Sequence, residues 1–312
     1  MRKKLVAWAL VLLSLAAGQA ALAAGKQQGK FYVIGMGTSP DLVTVRGLEV
    51  IKRADLVLLE DKSDLEAWGK WIGKKPVVYA PHLAKVFYGT DPASLTDPAK
   101  RAWAEKNDAI RKELAAKVQQ AVVAGKVVAY LQWGDAMLYG NLYLLEMLPP
   151  AIPTEVVPGV GAFQAASAAL ERSTVYGWDT NGVILTMGDW PGRADTNEKL
   201  MAAGTSMVFY TMHLDYPAVF AQLARAYPAD TPVAVVSFAG DPRNQKIERS
   251  TVGKFLTEVD WAHLPAEMHT LFVGKFLTVG QARKDGVSHG KDWIQQQHGD
   301  DTPLGQPTCE QP

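Results

Sequence analysis

The sequence predicts an α/β protein built from two domains. Short apolar runs rich in β-branched residues alternate with segments whose apolar residues recur at helical spacing. A proline-rich stretch at 148–153 interrupts this alternation, so we predict an N-terminal domain over 30–148 and a C-terminal domain over 154–277. Of the 312 residues, 48% are hydrophobic and 21% are charged, so the chain can bury a substantial core and is not expected to be disordered.

The first two dozen residues predict a secretory signal peptide. Three basic residues at 2–4 precede an apolar run at 5–17, and Ala-Leu-Ala at 21–23 supplies the small residues that signal peptidase accepts. We therefore expect a signal peptide over 1–24 and a periplasmic location. The apolar run is shorter than the roughly 20 residues of a spanning helix, so no stable membrane span is expected after cleavage, with an uncleaved anchor as the alternative.

Charge and cysteine content exclude several classes of function. Lysine plus arginine and aspartate plus glutamate both number 32, so the chain has no bulk electrostatic reason to bind nucleic acid. The single cysteine, Cys309, lies in a polar tail predicted over 281–312 and cannot form an internal disulfide. The six histidines lack zinc-type spacing, so no metal site is predicted.

The predicted N-terminal domain opens with a βαβ unit. A buried strand, an amphipathic helix and a second buried strand follow one another with short connections. Further along the chain, Asp97 is placed to cap a long helix with Pro98 at its first position, and Gly125 is placed to end it. The predicted strands are 30–34, 56–59, 76–79 and 127–131, and the predicted helices are 41–53 and 97–124.

The predicted C-terminal domain is a second α/β set. Its later strands are expected to be partly antiparallel, because the gap between Phe238 and Lys246 is too short for a helical crossover. The predicted strands are 155–157, 182–187, 206–211, 232–238, 246–252 and 269–276, and the predicted helices are 160–171, 196–203 and 214–227.

The first of three glycine-rich turns follows the first strand directly. Gly35 and Gly37 stand where a nucleotide-phosphate loop would begin, and Glu60 and Asp61 follow the second strand where a dinucleotide-binding fold places its ribose acid. A third glycine is missing, and segment 38–41 is typical of a turn with a helix N-cap. These residues by themselves leave both a nicotinamide site and a plain glycine turn open.

The other two glycine-rich turns also join a strand to a helix. The second turn, 133–140, lies at the carboxyl end of a strand, where open α/β sheets bind ligands. Its Asp135 either contacts a cationic ligand group or only caps a helix starting near Ala136. Trp133 is a candidate for stacking on a flat ligand. With a third turn at 157–162, the glycine-rich turns exceed what a plain scaffold needs.

Taken in order, these segments resemble the tetrapyrrole methylase family. Each motif alone is weakly specific, whereas five in the same order and spacing are strongly specific. The resemblance covers 30–276, and 95–135 with 163–166 is most similar to the precorrin-2 C20-methyltransferase branch. The motifs are Gly35 and Gly37 with 41–46, then 54–58, then Gly134 and Asp135 with Tyr139 and Gly140, then 157–159, and finally 231–235 with Gln245.

The resemblance implies two α/β domains of tetrapyrrole-methylase type with the cofactor cleft between them. It also implies S-adenosylmethionine as the cofactor, a tetrapyrrole as the substrate and a homodimer, without assigning a catalytic residue. The residues implied to hold the cofactor are Gly134, Asp135, Leu138, Tyr139, Gly161, Ala162, Met212, Pro232, Val233 and Ala234. The residues implied to border the substrate are Gly35, Met36, Gly37, Thr38, Ser39 and Pro40.

The sequence departs from the family's pattern at several places. The serine or threonine common after Pro-Gly-x is Gly161 followed by Ala162, and the first loop lacks the usual Gly-Pro-Gly run. The proline usual after the loop aspartate is Ala136 here, and a leader directs the chain away from the cytoplasm, where S-adenosylmethionine is made. The alternative function is therefore an exported, non-catalytic tetrapyrrole- or ligand-binding protein with a methylase fold. A nicotinamide oxidoreductase is a third hypothesis.

N-terminal sequencing of the protein from a periplasmic extract tests the signal peptide. We expect a mature chain that begins close to residue 25, because charge, apolar length and small residues occur in the required order. A chain that begins at Met1 in the cytoplasmic fraction would contradict this prediction.

Overall fold

The computed structural model describes residues 29–175, 182–190, 192–212 and 214–278. The predicted signal peptide and the predicted polar tail with Cys309 lie outside these residues. The chain divides into two compact units, 1–160 and 161–312. Within the described ranges, no helix is both long enough and apolar enough to cross a membrane.

The first unit alternates strands and helices, as its sequence predicts. Two short 3-10 helices, His82–Lys85 and Pro92–Ser94, lie between its third strand and its longest helix. The strands and helices are β1 (Lys30–Gly35), α1 (Val45–Arg53), β2 (Leu56–Leu59), α2 (Asp64–Ile72), β3 (Val77–Tyr79), α3 (Pro98–Val123), β4 (Val127–Gln132), α4 (Tyr143–Met147) and β5 (Thr154–Val157).

The five strands of the first unit form a parallel sheet in the order β3-β2-β4-β1-β5. β1 lies between β4 and β5, and Gly35 pairs with Gln132 at the carboxyl end of β1 and β4. Because the strands share one direction, their carboxyl ends meet at one edge of the sheet. We call this the carboxyl edge, and all three glycine-rich turns follow strands that end there.

Two hydrophobic cores cover the two faces of this sheet. Phe31 of β1 belongs to the core that includes Val118 of α3, while Ile34 of β1 belongs to the core that includes Trp68 of α2. Successive side chains of a strand point to opposite faces, so one strand serves both cores. The almost unbroken apolar composition of β1 follows from burial on both sides.

The division between the units differs from the predicted domain boundary by one strand. We predicted the strand at 155–157 in the second domain, whereas β5 pairs with β1 in the first sheet and places Thr154 opposite Phe31. The prolines of the 148–153 stretch end α4 and lead into an edge strand. Pro153 still contributes, because its carbonyl accepts the Phe31 N–H at 2.9 Å.

The first helix begins four residues later than predicted. It starts at Val45 rather than Asp41, because Thr44 Oγ1 accepts a hydrogen bond from the Gly47 N–H at 3.1 Å and caps the helix. The Ser39 hydroxyl donates to the Asp41 carboxylate at 2.6 Å within the preceding turn. Asp41 therefore belongs to the turn and not to the helix.

The ends of the long helix α3 are close to those predicted. Asp97 is its N-cap and Pro98 its first residue, both as expected, while Gly125 with φ of 83° lies one residue beyond the C-cap. Helix α2 was not predicted. Gly69 interrupts its interior and Ser63 makes no side-chain cap bond, so its sequence carries a weak helical signal.

The described part of the second unit also contains five strands. Its 3-10 helices are Trp261–His263 and Lys275–Leu277. The strands and helices are α5 (Ala162–Leu170), β6 (Val183–Met187), α6 (Asn197–Met201), β7 (Ser206–Tyr210), α7 (Tyr216–Ala226), β8 (Pro232–Ser237), β9 (Lys246–Thr251), α8 (Phe255–Glu258) and β10 (His269–Val273).

The sheet of the second unit is mixed, in the order β6-β7-β10-β8-β9. β6 and β7 are parallel, whereas β10 runs antiparallel to both β7 and β8, and β9 runs antiparallel to β8. The partly antiparallel arrangement predicted for the later strands is therefore confirmed. In the short connection between β8 and β9, the Gly240 N–H donates to the Gln245 side chain at 2.9 Å.

A buried aromatic cluster packs against the second sheet around His269. The Tyr216 ring stacks on the imidazole with centroids 5.9 Å apart, and the Tyr216 hydroxyl lies 2.5 Å from His269 Nε2. Phe220 and Phe255 stack beside them at 4.3 Å. Only 7% of His269 is exposed, and burial lowers its pKa to about 4.

Mild acid should therefore destabilise the protein through His269. The pKa of this imidazole is about 4 in the folded chain against an ordinary value of 6.5, so the unfolded state takes up its proton first as the pH falls. The contribution is fully present above pH 6.5, and about 3 kcal/mol of the free energy of unfolding is lost between there and pH 4. Denaturant unfolding across this range measures the loss.

The variant His269→Gln should flatten this part of the pH dependence, because it removes the titrating group. His263→Gln is the matched control, since His263 is exposed and pairs with Asp260 on the surface. The control should keep the wild-type loss of stability below pH 6.5. An unchanged pH dependence in His269→Gln would show that other groups cause the loss.

Candidate functional site

Two of the glycine-rich turns are joined by their backbones at the carboxyl edge. The Gly134 N–H donates to the Gly37 carbonyl at 2.9 Å, and the Gly37 N–H donates to the Gly134 carbonyl at 3.2 Å. Both glycines have positive φ, 80° at Gly37 and 67° at Gly134. This conformation favours glycine, so the pairing itself explains why glycine stands at both positions.

The third turn packs against the same two segments. A Cβ added to Gly159 would lie 2.3 Å from the Gly134 carbonyl oxygen, and one added to Gly35 would lie 2.6 Å from the Gly159 nitrogen. The three turns therefore touch through backbone atoms. We did not predict this meeting from the sequence, because we assigned the strand before the third turn to the other domain. The glycines are needed for the close contact between the turns.

Asp135 closes a turn and does not cap a helix. Its carboxylate accepts the Met137 N–H at 3.0 Å, and the helix expected near Ala136 does not form, since α4 begins only at Tyr143. The capping interpretation of Asp135 is therefore wrong. The carboxylate is half-buried at the carboxyl edge, beside the Gly134 backbone.

The rest of this turn keeps a tight backbone. Tyr139 has φ of 62°, and a Cβ on Gly140 would lie 2.0 Å from the Ala136 carbonyl oxygen. Leu138, Tyr139 and Gly140 are half-buried. This turn contains all the residues of the first unit that are implied to contact the cofactor, and its tight backbone fixes their positions.

The remaining residues implied to hold the cofactor lie in the second unit. Gly161 is the N-cap of α5 and Ala162 its first residue, while Met212 follows β7 and is half-buried. The Val233 side chain belongs to the hydrophobic core, so it packs rather than faces a ligand. Ala234, the next residue of β8, faces the opposite side of the sheet.

The residues implied to border the substrate are mostly buried. Met36 is fully buried in the core of the first unit, and Ser39 is 4% exposed. Thr38 and Pro40 are half-buried. Within the loop 35–40, Thr38 and Pro40 are therefore the residues that a substrate can reach.

A polar cluster that the sequence analysis did not assemble lies at the carboxyl edge around Glu60. The Glu60 carboxylate accepts hydrogen bonds from the Tyr130 hydroxyl at 3.1 Å and from the Asn141 amide at 2.8 Å. His82 Nδ1 lies 3.2 Å from its other oxygen. Up to 81 positions separate these partners, so only the shared edge of the sheet brings them together. In the sequence, this cluster was indicated only by the positions of Glu60 and His82, each of which follows a strand.

This cluster keeps a buried carboxylate ionised. Burial opposes ionisation of Glu60, but the hydrogen bonds from His82, Asn141 and Tyr130 outweigh burial and lower its pKa. The His82 side chain is 42% exposed, so the imidazole connects Glu60 to the surface. A carboxylate paired with an imidazole in this way can hold or transfer a proton.

Both the sequence and the fold are similar to those of known proteins. The sequence model of the family Tetrapyrrole (Corrin/Porphyrin) Methylases matches residues 30–256. This chain belongs to that family. Its predicted α/β fold of tetrapyrrole-methylase type is likewise confirmed by solved structures. The chain superposes on a cobalt precorrin-4 methyltransferase with a TM-score of 0.63 at 24% identity, covering 80% of this chain and 96% of that one.

Named relatives of this methylase come from several branches of the family. The chain is 28% identical over 233 residues to a cobalt-precorrin-4 C(11)-methyltransferase of Priestia megaterium, covering 72% of this chain and 79% of the relative. It is 25% identical over 232 residues to a uroporphyrinogen-III C-methyltransferase of Methanocaldococcus jannaschii, covering 72% and 87%. A cobalt-precorrin-2 C(20)-methyltransferase of Salmonella typhimurium is 29% identical over 161 residues, covering 47% and 62%.

Adding one methyl group to the junction of the turns should disrupt it. In Gly159→Ala the new Cβ would meet the Gly134 carbonyl oxygen, and backbone cannot move aside as a flexible side chain can. We expect a loss of at least about 2 kcal/mol in the free energy of unfolding, the scale of a strained core. Denaturant unfolding measures the loss.

The matched control is Gly69→Ala in helix α2. A Cβ there meets nothing within 4 Å, so alanine should stabilise the helix by about 0.5–1 kcal/mol. If Gly159→Ala were as stable as the wild-type protein, the turns would not depend on the close approach.

Proposed function

We propose that this methylase transfers a methyl group from S-adenosylmethionine to a tetrapyrrole. Family membership across 30–256 is the observation that carries the proposal. Relatives from different branches bear the names of precorrin and uroporphyrinogen methyltransferases. When bound, the cofactor supplies an electrophilic methyl group on sulfur. The protein then has to align donor and acceptor, which needs rigid turns rather than a nucleophile of its own.

The residues present fit this cofactor in chemical type. Asp135 offers a half-buried carboxylate that can pair with the ammonium group of the methionine part. In the second unit, α5 begins at Ala162 without a side-chain cap, so its first backbone N–H groups can donate to a ligand acceptor. A uroporphyrin-III C-methyl transferase of Thermus thermophilus, with a TM-score of 0.57 to this chain, is complexed with S-adenosyl homocysteine.

Glu60 and His82 provide a place for a proton. Transfer of a methyl group to carbon leaves a positive charge on the conjugated substrate. Loss of a proton from the substrate removes that charge, so a base near the substrate assists the reaction. His82 is exposed at the carboxyl edge, and its Nδ1 lies 3.2 Å from the carboxylate of Glu60. A proton taken up from the substrate by His82 would stay on the imidazole, beside the Glu60 carboxylate, until it passes to water.

The alternatives have less support. A nicotinamide site would use an acid after β2, Glu60 or Asp61, for a ribose. Glu60 is already bound by Tyr130, Asn141 and His82, and Asp61 accepts hydrogen bonds from the Ser63 N–H and hydroxyl. The exported, non-catalytic binding protein finds no support among the relatives, which bear the names of methyltransferases and of siroheme synthases.

Three finer statements complete the proposal. We assign the chain to the precorrin-2 C20-methyltransferase branch, which the motif resemblance favours and which is represented among the relatives. We also infer a homodimer, as the family resemblance implies, and export to the periplasm, as the leader at 1–24 favours. Gel filtration and assays with methylated precorrins of different branches test the first two.

A methyl-transfer assay on the chain without residues 1–24 tests the function. Given S-adenosylmethionine and reduced tetrapyrroles, the protein should release S-adenosylhomocysteine, and Met212→Arg should abolish this by filling the implied pocket. Failure to bind S-adenosylhomocysteine at millimolar concentration in calorimetry would contradict the cofactor. Binding without turnover would favour the non-catalytic alternative.

Asp135→Asn separates cofactor contact from turn formation. The asparagine oxygen can still accept the Met137 N–H, so the melting temperature should not change, while loss of the charge should weaken S-adenosylmethionine binding by about 1–3 kcal/mol. Asp241→Asn is the matched control, because Asp241 closes the same kind of turn with the Arg243 N–H at 3.0 Å. If the calorimetric affinity of Asp135→Asn for S-adenosylmethionine is unchanged, Asp135 only closes the turn and does not contact the cofactor.

A further inference from the structure

An exposed tryptophan stands at the carboxyl edge directly before the joined turns. Trp133 follows the last residue of β4 and precedes Gly134, and 37% of its side chain is exposed. Trp68 of α2 is fully buried and packs against it, with ring centroids 4.6 Å apart and planes inclined at 43°. Part of the Trp133 ring is therefore packed on a rigid neighbour and part is open.

The orientation of Trp133 is fixed by a single carboxylate. The indole N–H donates to one oxygen of Asp64 at 2.9 Å. The other oxygen of Asp64 accepts the backbone N–H groups of Glu60 at 3.1 Å and Asp61 at 3.0 Å. Asp64 thereby ties the indole to the segment that carries Glu60, the buried acid of the candidate site.

Burying the Asp64 carboxylate that holds Trp133 costs free energy. Asp64 is 3% exposed, and burial raises the pKa of its carboxyl, with the charge of Glu60 adding to the effect. An exposed indole can donate its hydrogen bond to water at no such cost. Stability alone therefore does not explain why a buried carboxylate bonds to a partly exposed tryptophan. The orientation that Asp64 gives to the Trp133 ring does explain it.

We propose that the open part of the Trp133 ring is the surface on which a pyrrole ring of the tetrapyrrole stacks, and that Asp64 and Trp68 are positioning residues that set its angle. The inference rests on the proposed function and specifies the substrate side of that site. Pyrrole rings are flat and conjugated, and tryptophan offers the largest flat side chain for stacking. The stack would hold one end of the macrocycle beside Glu60 and His82.

Binding of uroporphyrin III, an air-stable planar tetrapyrrole, tests the proposal independently of turnover. The chain without residues 1–24 is titrated with uroporphyrin III by fluorescence and, separately, with S-adenosylhomocysteine by calorimetry. Trp133→Leu removes the flat ring and should raise the Kd for uroporphyrin III at least ten-fold. Its Kd for S-adenosylhomocysteine should stay within two-fold of the wild-type value.

Two further variants separate stacking from positioning. Trp133→Phe keeps a smaller ring without the N–H and should give an intermediate Kd. In Asp64→Asn an amide cannot accept hydrogen bonds on both sides, so the indole should lose its anchor. We expect a three- to ten-fold rise in KM for the tetrapyrrole with the KM for S-adenosylmethionine unchanged, a split that a general loss of structure would not produce.

Trp190→Leu is the matched control, because Trp190 is 57% exposed and lies in the second unit. It should bind both ligands as the wild-type protein does. A Trp133→Leu protein that binds uroporphyrin III within two-fold of wild type would overturn the stacking surface, as would wild-type protein that binds S-adenosylhomocysteine but no uroporphyrin III. If Trp133→Leu does not fold, wild-type affinity in Trp133→Phe overturns it. Wild-type protein that binds no S-adenosylhomocysteine overturns the proposed function instead.

Discussion

The candidate site depends on the close approach of three backbone turns at the carboxyl edge of the first sheet. Gly37 and Gly134 exchange hydrogen bonds, and Gly159 lies so close to Gly134 that a Cβ would not fit. These contacts join backbone to backbone and fix where the turn that carries Asp135 begins. The Asp135 carboxylate then closes that turn by accepting the Met137 N–H. The glycines hold the turns in contact, and side chains of the second turn such as Asp135 are thereby placed where a ligand can contact them.

Two carboxylates four residues apart in sequence show how environment divides their roles. Glu60 is buried, but hydrogen bonds from His82, Asn141 and Tyr130 lower its pKa, so it stays charged beside an exposed imidazole. Asp64 receives only N–H donors from the backbone and from Trp133, and burial raises its pKa. The first residue is thus suited to proton chemistry, while the second is suited to holding an aromatic ring in place.

Local signals predicted most of the elements correctly because their causes are local. Asp97 caps the long helix and Pro98 is its first residue, which is a local signal for a helix start. The gap after Phe238 is too short for a helical crossover, so the next strand returns antiparallel. The error over β5 arose because a distant strand, β1, is its partner, whereas the other errors arose where one local signal replaced another. Asp135 resembles a helix cap in sequence, but the chain from Ala136 is held in a tight turn and the helix starts at Tyr143.

The sequence by itself determined the α/β class, the order of the strands along the chain and the family motifs, since periodicity, capping residues and glycine spacing are all written within short segments. Only the tertiary structure decided which sheet receives β5, that Glu60 meets His82 and Asn141, and that Asp64 holds Trp133. The physical reason is that these contacts join residues far apart in sequence. Their distances are fixed by parallel strands ending at one edge, and no local pattern records which side chains meet there.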